Sequence, residues 1–198
     1  MSRALLLLGS VLGLLGMCGC NAAVATPTAY EKWNAKDGTF LIEYPEGWKA
    51  DGGGKQGIQW AEFSKGSNVI TVDTNLTTSL IGDIASGGGA FNDEDMPEEL
   101  APAAKAHEFM KDSAVGDKFS NYKEEAAIKI SPPVGEGRKS VFTASKGLGQ
   151  KVKGYRVTIP QSDKGLIIFC YGPAKNWEKL QPAYDRILDN LERGQPQL

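Results

Sequence analysis

The sequence predicts an α+β fold in which helices flank an antiparallel β-sheet on both faces, a three-layer α/β/α sandwich. Three observations lead to this prediction. Several short segments alternate apolar and polar residues, as half-buried strands do. The segment 166–171 (LIIFCY) is apolar without alternation, which indicates a strand buried on both faces. The last segment carries an apolar stripe at helical spacing, which predicts a helix that can cover one of those faces.

The N-terminus has the composition of a secretory leader. One positive charge, at Arg3, precedes the apolar run from Ala4 to Met17. This run is too short to span the hydrocarbon core of a bilayer, which requires about 20 apolar residues, and its length is typical of a signal peptide. The residues that end it, Gly19-Cys20, resemble the lipobox of bacterial lipoproteins, in which a small residue precedes the lipidated cysteine.

The lipobox resemblance implies that residues 1–19 are removed and that Cys20 is the lipid-attachment residue. Cys18 is the poorer match because it follows the bulky Met17. Acyl chains on Cys20 would anchor the protein, since one chain binds a membrane reversibly and two or more hold it firmly. The implied location is the bacterial cell envelope, extracytoplasmic and lipid-anchored, on either the inner or the outer membrane. A plain secretory leader with incidental cysteines is the alternative.

We predict four parts in the chain. They are a lipoprotein signal peptide at 1–19, a lipidated tether at 20–29, one domain at 30–193 and a C-terminal tail at 194–198. The tether prediction rests on the small and polar residues of 21–28 (NAAVATPT). The formal net charge of −2 gives the protein no attraction for nucleic acid. Cys170 would be the one free thiol of the mature protein, and its apolar strand predicts a core residue.

The sequence also predicts the order of elements within the domain. Three antiparallel strands at 39–44, 58–63 and 68–76 are expected first, with Gly52-Gly53-Gly54 as a flexible turn. A helix follows at 102–115. Pro182 is expected to divide the last helix into a turn at 176–181 and a main helix at 182–192. Four further strands are predicted between these helices, at 122–130, 139–145, 151–159 and 165–171.

No catalytic residue set is evident, and the sequence predicts neither an enzyme nor a cofactor. His107 is the only histidine, and it falls on the apolar stripe of the 102–115 helix. Its helical neighbours Ala103 and Lys111 provide neither a carboxylate nor a second metal ligand, so we predict a half-buried structural histidine. The triplet Gly87-Gly88-Gly89 is not followed by Gly-Lys-Ser/Thr, which excludes a P-loop.

An acidic cluster at 92–99 is the remaining candidate for chemistry. It lacks the spacing of an EF-hand calcium loop, and acids before a helix commonly complement the helix dipole. We therefore predict no metal site. Paired carboxylates can nevertheless perform acid–base chemistry without histidine. A carboxylate-based hydrolase or metal-dependent enzyme that uses this loop is thus the alternative to a non-catalytic binding or assembly module.

Two segments resemble the PsbP-like family, which includes the Ran-binding Mog-type proteins. The first is 37–48 (DGTFLIEYPEGW), and the second is the closing strand with Trp177 and the helix residues 187–191 (ILDNL). The resemblance implies an antiparallel sheet between helical layers, and the lipoproteins among the cyanobacterial members agree with Cys20. The matching residues are core and turn residues, so they imply a fold and leave the binding residues and the protein partner unassigned.

Overall fold

The computed structural model describes residues 25–55, 57–75, 101–161 and 164–197. These residues form a mostly antiparallel β-sheet with three α-helices. The described strands are β1 (Tyr30–Asn34), β2 (Leu41–Pro45), β3 (Lys49–Lys55), β4 (Ile58–Lys65), β5 (Asn68–Asn75), β6 (Ser120–Glu124), β7 (Ile128–Ile130), β8 (Gly137–Lys146), β9 (Gln150–Pro160) and β10 (Gly165–Pro173). The helices are α1 (Pro102–Phe109), α2 (Lys111–Val115) and α3 (Trp177–Asp189). None of the described helices is both long and apolar enough to cross a bilayer.

The strands divide into a small and a large antiparallel sheet. β1 and β2 pair with each other, and the backbone of Leu41 in β2 also pairs with that of Glu192. The large sheet has the order β3-β4-β5-β10-β9-β8-β6, and β7 pairs with β8 on the same outer side. β10 therefore lies in the middle of the large sheet, between β5 and β9.

The central strand β10 is buried on both faces, which confirms the prediction from its unbroken apolar run. Successive strand side chains point to opposite faces of a sheet. Leu166, Ile168 and Cys170 accordingly pack in one core cluster, which also contains apolar side chains of α3. Ile167, Phe169 and Tyr171 pack in a second cluster. That second cluster also contains the side chains Met110, Ala114, Phe119 and Phe142.

The glycine triplet at 52–54 does not form the expected flexible turn. It lies within β3, at the edge of the large sheet, and Gly52 pairs with Ala61. A Cβ atom on Gly52 would lie 2.6 Å from Cζ2 of Trp33 and 2.8 Å from the carbonyl oxygen of Trp60. Glycine is required there because an aromatic ring and a neighbouring backbone approach closely, and the sequence alone gives no sign of that approach.

The last helix also differs from its prediction. α3 is continuous from Trp177 to Asp189, and Pro182 lies inside it. The proline removes one intrahelical hydrogen bond, but the buried stripe that includes Leu180, Tyr184 and Leu188 runs through the position without a break. Burial of this stripe thus outweighs the loss at Pro182, which lies at an exposed position.

Two other predicted elements are each divided. The helix expected at 102–115 is interrupted at Met110, which caps α1 and precedes α2. The strand expected at 122–130 becomes β6 and β7, both paired with β8. Tyr30 and Trp33 lie in β1, which the sequence does not predict. Residues 194–197 hydrogen-bond to the loop 34–38 through Gly194, Gln195 and Gln197.

We predict that Leu188→Ala lowers the free energy of unfolding by about 2–5 kcal/mol, as large-to-small core substitutions do. Leu188 is 3% exposed and packs in the cluster that covers one face of β10. Lys179→Ala, on the exposed side of the same helix, is the matched control and should change it by less than about 0.5 kcal/mol. Urea unfolding of a chain that begins at Ala25, and so keeps every described element, measures both. Equal midpoints for the two variants would mean that α3 does not pack on the sheet.

Candidate functional site

His107 lies in a buried group of polar side chains, which we call the polar network. Its members are His107 of α1, Glu124 of β6, Ser140 of β8, and Arg156 and Thr158 of β9. The imidazole Nδ1 lies 3.0 Å from Oγ1 of Thr158, and Nε2 lies 2.9 Å from Oγ of Ser140. His107 is only 3% exposed. The prediction of an inward-facing histidine is confirmed, but it is fully rather than half buried.

Arg156 links three elements of the fold through one guanidinium group. Its Nε donates a hydrogen bond to Oε1 of Glu124 at 2.8 Å, and its Nη2 donates one to Oε2 at 3.2 Å. Its Nη1 donates to the backbone carbonyl of His107 at 2.8 Å. A bidentate arginine–carboxylate pair of this kind is strong and fixes geometry. β9, β6 and α1 are therefore held together by a side chain that is 0% exposed.

The carboxylate of Glu124 is the electrostatic centre of the polar network. Burial raises its pKa, but hydrogen bonds from His107 and Arg156 outweigh this effect and lower the pKa of Glu124 to about 2. Its Oε1 lies 3.5 Å from Nε2 of His107, and its Oε2 lies 3.7 Å from Nζ of Lys111. The pKa of His107 is lowered, first by burial and further by the charge of Arg156. Glu124 is thus held ionised and His107 neutral.

Strand alternation explains why the polar network forms on one face of the sheet. In β9, Arg156 and Thr158 alternate with Tyr155, Val157 and Ile159, which pack in the core cluster shared with α3. Ser140 of β8 pairs directly with Arg156. The polar residues of the two strands therefore share one face, and α1 contacts both strands there.

Sequence reasoning missed this network, although it identified His107. The helical neighbours of the histidine indeed offer no carboxylate, but Glu124 reaches it from β6. One signal was present in the sequence, since Ser140, Arg156 and Thr158 are polar residues of two neighbouring predicted strands, and Arg156 and Thr158 occupy alternate positions. The position of α1 over those strands could not be read from that pattern.

The polar network does not have the arrangement of a nucleophilic catalytic triad. In a serine–histidine–acid triad, the serine bonds one ring nitrogen and the acid orients the histidine through the other. Here Ser140 and Glu124 both lie at Nε2, while Nδ1 faces the Thr158 hydroxyl. Ser140 is 2% exposed, so a substrate could not reach its oxygen in this conformation. The network provides hydrogen-bond partners for buried polar groups and joins α1 to the sheet.

Of the other residues singled out by the sequence, Cys170 is described, and it is not part of this network. Cys170 packs in the core cluster on the other face of β10, where complete burial raises the pKa of its thiol. Cys20 and the acids at 92–99 lie outside the described residues. Within the described ranges, no group of three or more histidine, cysteine or acidic side chains could hold a metal ion.

Two adjoining clefts lie at one end of the large sheet, which we call the lysine end. It comprises the β4–β5 turn 65–68, the β8–β9 turn 146–151, the end of β10 at 173–175 and the segment 25–29. One cleft, of about 820 Å³, lies between segment 25–29, Trp48, Leu180 and the β4–β5 turn. The other, of about 620 Å³, lies between the two turns. Neither cleft is lined by a member of the polar network.

Comparison with solved structures identifies the fold. The chain is similar to cyanobacterial PsbP (CyanoP) from Synechocystis sp. PCC 6803, with a TM-score of 0.54 and 13% sequence identity over 91% of this chain and 99% of that one. A protein of Pseudomonas aeruginosa, PA94, is 12% identical over 82% of this chain and 95% of that one, with a TM-score of 0.41. No protein-family model matches the chain, and no curated protein matches it. The PsbP-like fold inferred from 37–48 and the C-terminal motif is therefore confirmed as a fold.

We predict that Glu124→Gln lowers the free energy of unfolding by about 3–5 kcal/mol, because the substitution leaves the buried guanidinium of Arg156 without a counter-charge. Glu125→Gln is the matched control, since Glu125 is the next residue along the chain and its side chain is exposed. Urea unfolding at neutral pH measures the difference. A similarly small effect of both substitutions would contradict the role given to the network.

The same pair of variants tests the pH dependence. Glu124 has a folded-state pKa of about 2, below its ordinary value of 4.5. Its ionised form therefore stabilises the fold fully above about pH 4.5, and this contribution is lost as the pH falls towards about 2. Burial also lowers the pKa of His107 from its ordinary value of 6.5, so protonation of His107 destabilises the fold as the pH falls below about 6.5. Between pH 4.5 and 2, the free energy of unfolding should fall less steeply in Glu124→Gln than in the unsubstituted chain. It should fall as steeply in Glu125→Gln as in the unsubstituted chain.

Proposed function

We propose that this protein is a lipoprotein of the bacterial cell envelope whose domain is a non-catalytic binding or assembly module. In this proposal, the leader is removed before Cys20 and acyl chains on Cys20 hold the domain at the extracytoplasmic side of a membrane. The observation that carries the non-catalytic part is the burial of the polar network. The histidine, serine and glutamate that could perform catalysis are directed at one another and at Arg156, away from solvent.

The packing of β10 supports the finer architecture. One core cluster joins Leu166, Ile168 and Cys170 to α3, and the other joins Ile167, Phe169 and Tyr171 to Met110 and Ala114 of the α1–α2 region. We propose a three-layer α/β/α sandwich on this basis. In this arrangement both sheet faces beside β10 are occupied by the protein itself, so a partner would bind at the ends of the sheet or at its loops.

The geometry of segment 25–29 supports attachment near the lysine end. The backbone N–H of Glu46 donates to the carbonyl of Ala29 at 2.9 Å, and the Tyr30 hydroxyl donates to the carbonyl of Pro27 at 3.3 Å. These bonds hold the segment on the domain. Ala25 lies five residue steps after Cys20, and an extended chain spans at most about 3.5 Å per step. An acylated Cys20 would keep the lysine end within roughly 18 Å of the bilayer.

The carboxylate-based enzyme remains an alternative from sequence alone. It depends on the acids at 92–99, which lie outside the described residues. No contact or cleft in the described part of the chain favours it over the binding module.

We predict that Cys20→Ser abolishes incorporation of labelled fatty acid and releases the protein from the membrane fraction of a bacterial host. The thiol that would carry the acyl chains is then absent, and acylation is what would hold the protein at the membrane. Cys18→Ser is the matched control and should retain both labelling and membrane association. Labelling that survives Cys20→Ser, or that is lost in Cys18→Ser, would overturn the assignment of the anchor.

A further inference from the structure

The β8–β9 turn carries a fully exposed leucine at the lysine end. Leu148 lies between Gly147 and Gly149, whose φ angles of 55° and 86° are in the left-handed region that favours glycine. Its relative exposure of 109% exceeds that of every other exposed large apolar residue in the described chain. Isolated exposed leucines are common, so the surroundings of Leu148 decide whether it has a role.

Four lysines lie at the same end of the sheet as this leucine, on the two turns and at the end of β10. Lys146 and Lys151 flank the β8–β9 turn, Lys65 begins the β4–β5 turn, and Lys175 follows β10; all four are exposed. Nζ of Lys146 contacts the hydroxyl and the ring of Tyr171, and Nζ of Lys151 lies 3.2 Å from Oγ of Ser145.

The described residues provide these four lysines with no ion-pair partner. No ion pair joins any of the four to a carboxylate among the described residues. Other exposed lysines, such as Lys36, Lys55 and Lys179, also have no carboxylate within 4 Å among the described residues. What distinguishes this end is that its four segments contain four lysines and no acidic residue. Glu46 is the one acid among the described residues that line the two clefts. The lysine end is thus a basic surface on a chain whose formal net charge is −2.

This combination of groups fits a lipid surface better than a protein partner. Protein interfaces are enriched in aromatic residues and arginine and depleted in lysine. An anionic bilayer instead attracts clustered lysines whatever their detailed geometry. An exposed apolar side chain beside such a cluster can enter the boundary between headgroups and acyl chains. Lys146 and Lys151 flank Leu148 in this manner.

We infer that the lysine end binds the surface of an anionic phospholipid bilayer, with Leu148 inserted into the headgroup region. The inference rests on the proposed function for one point, that this end of the domain faces a membrane. It adds a second contact to the acyl anchor. The contact fixes the orientation of the domain, so that the opposite end, with the β3–β4 turn and the start of β10, points away from the bilayer.

The experiment uses a chain that begins at Ala25, which keeps every described strand and helix but has neither the leader nor Cys20. Co-sedimentation with vesicles of phosphatidylcholine and phosphatidylglycerol in equal parts is compared with vesicles of phosphatidylcholine alone. We expect binding to the anionic vesicles only. This binding should weaken with added salt, because the screening length falls from about 10 Å at 0.1 M to about 3 Å at 1 M.

Paired substitutions separate the lysine end from net charge. Lys65→Gln with Lys151→Gln should weaken binding about 25-fold, about fivefold for each lysine. Lys36→Gln with Lys55→Gln removes the same charge at other exposed positions and should leave binding nearly unchanged. Far-ultraviolet circular dichroism checks that all variants are folded. Equal weakening by the two pairs, or equal binding to both kinds of vesicle, would overturn the inference.

A fluorophore attached to a cysteine at position 148 tests the insertion of this residue directly. In a chain that begins at Ala25, Cys170 is the only cysteine, and it is completely buried. Leu148→Cys can therefore be labelled selectively with an environment-sensitive fluorophore. We expect a blue shift on addition of anionic vesicles for Leu148→Cys and none for Ile128→Cys, an exposed apolar position on β7. No shift at position 148 would contradict insertion.

The proposed acyl anchor and the proposed membrane contact of the lysine end are tested by separate experiments. The chain that begins at Ala25 lacks Cys20. If it does not bind vesicles, the inference about the lysine end is overturned and the assignment of Cys20 as the anchor is unaffected. Loss of the anchor assignment would appear instead as labelling that persists in Cys20→Ser of the full chain. Vesicle binding by the lysine end would still stand in that case.

Discussion

The burial of β10 on both faces is the constraint on which the rest of the structure depends. Antiparallel sheets commonly leave one face to solvent, but every residue from Gly165 to Gly172 is buried. The alternate side chains of this strand therefore require apolar partners on each face. α3 supplies partners to one cluster, and the residues Met110, Ala114 and Phe119 supply them to the other. The two layers that we propose follow from this requirement.

The polar network lies on the same face of the sheet as the second cluster, beside it. β8 and β9 continue the same face, and there their side chains change from Phe142 and Val152 to Ser140 and Arg156. Covering this part of the sheet with α1 buries a guanidinium, a carboxylate and an imidazole together. Such burial is tolerated only when the charges are paired and hydrogen-bonded. The polar network meets that condition, and its hydrogen bonds join α1 to the sheet.

The sequence predicted the features that depend on local pattern. The strands at 139–145, 151–159 and 165–171 were recognisable because alternation and apolar runs report burial directly. The PsbP-like fold was recognisable from 37–48. The glycine triplet does not reveal its role in the sequence, because Gly52 is required by the close approach of Trp33, which is distant along the chain. The partners of His107 were missed for the same reason, since Glu124, Ser140 and Thr158 reach it only after the sheet has formed.

The central claim is that the only histidine of the chain lies in a network that the fold covers. Diethyl pyrocarbonate reacts with accessible neutral imidazoles, so its reaction with His107 measures that cover directly. In a chain that begins at Ala25, we expect His107 to remain unmodified in the folded protein and to react fully in urea, with peptide mass spectrometry as the readout. Modification of His107 in the folded protein at the rate found in urea would show an accessible imidazole and contradict the account.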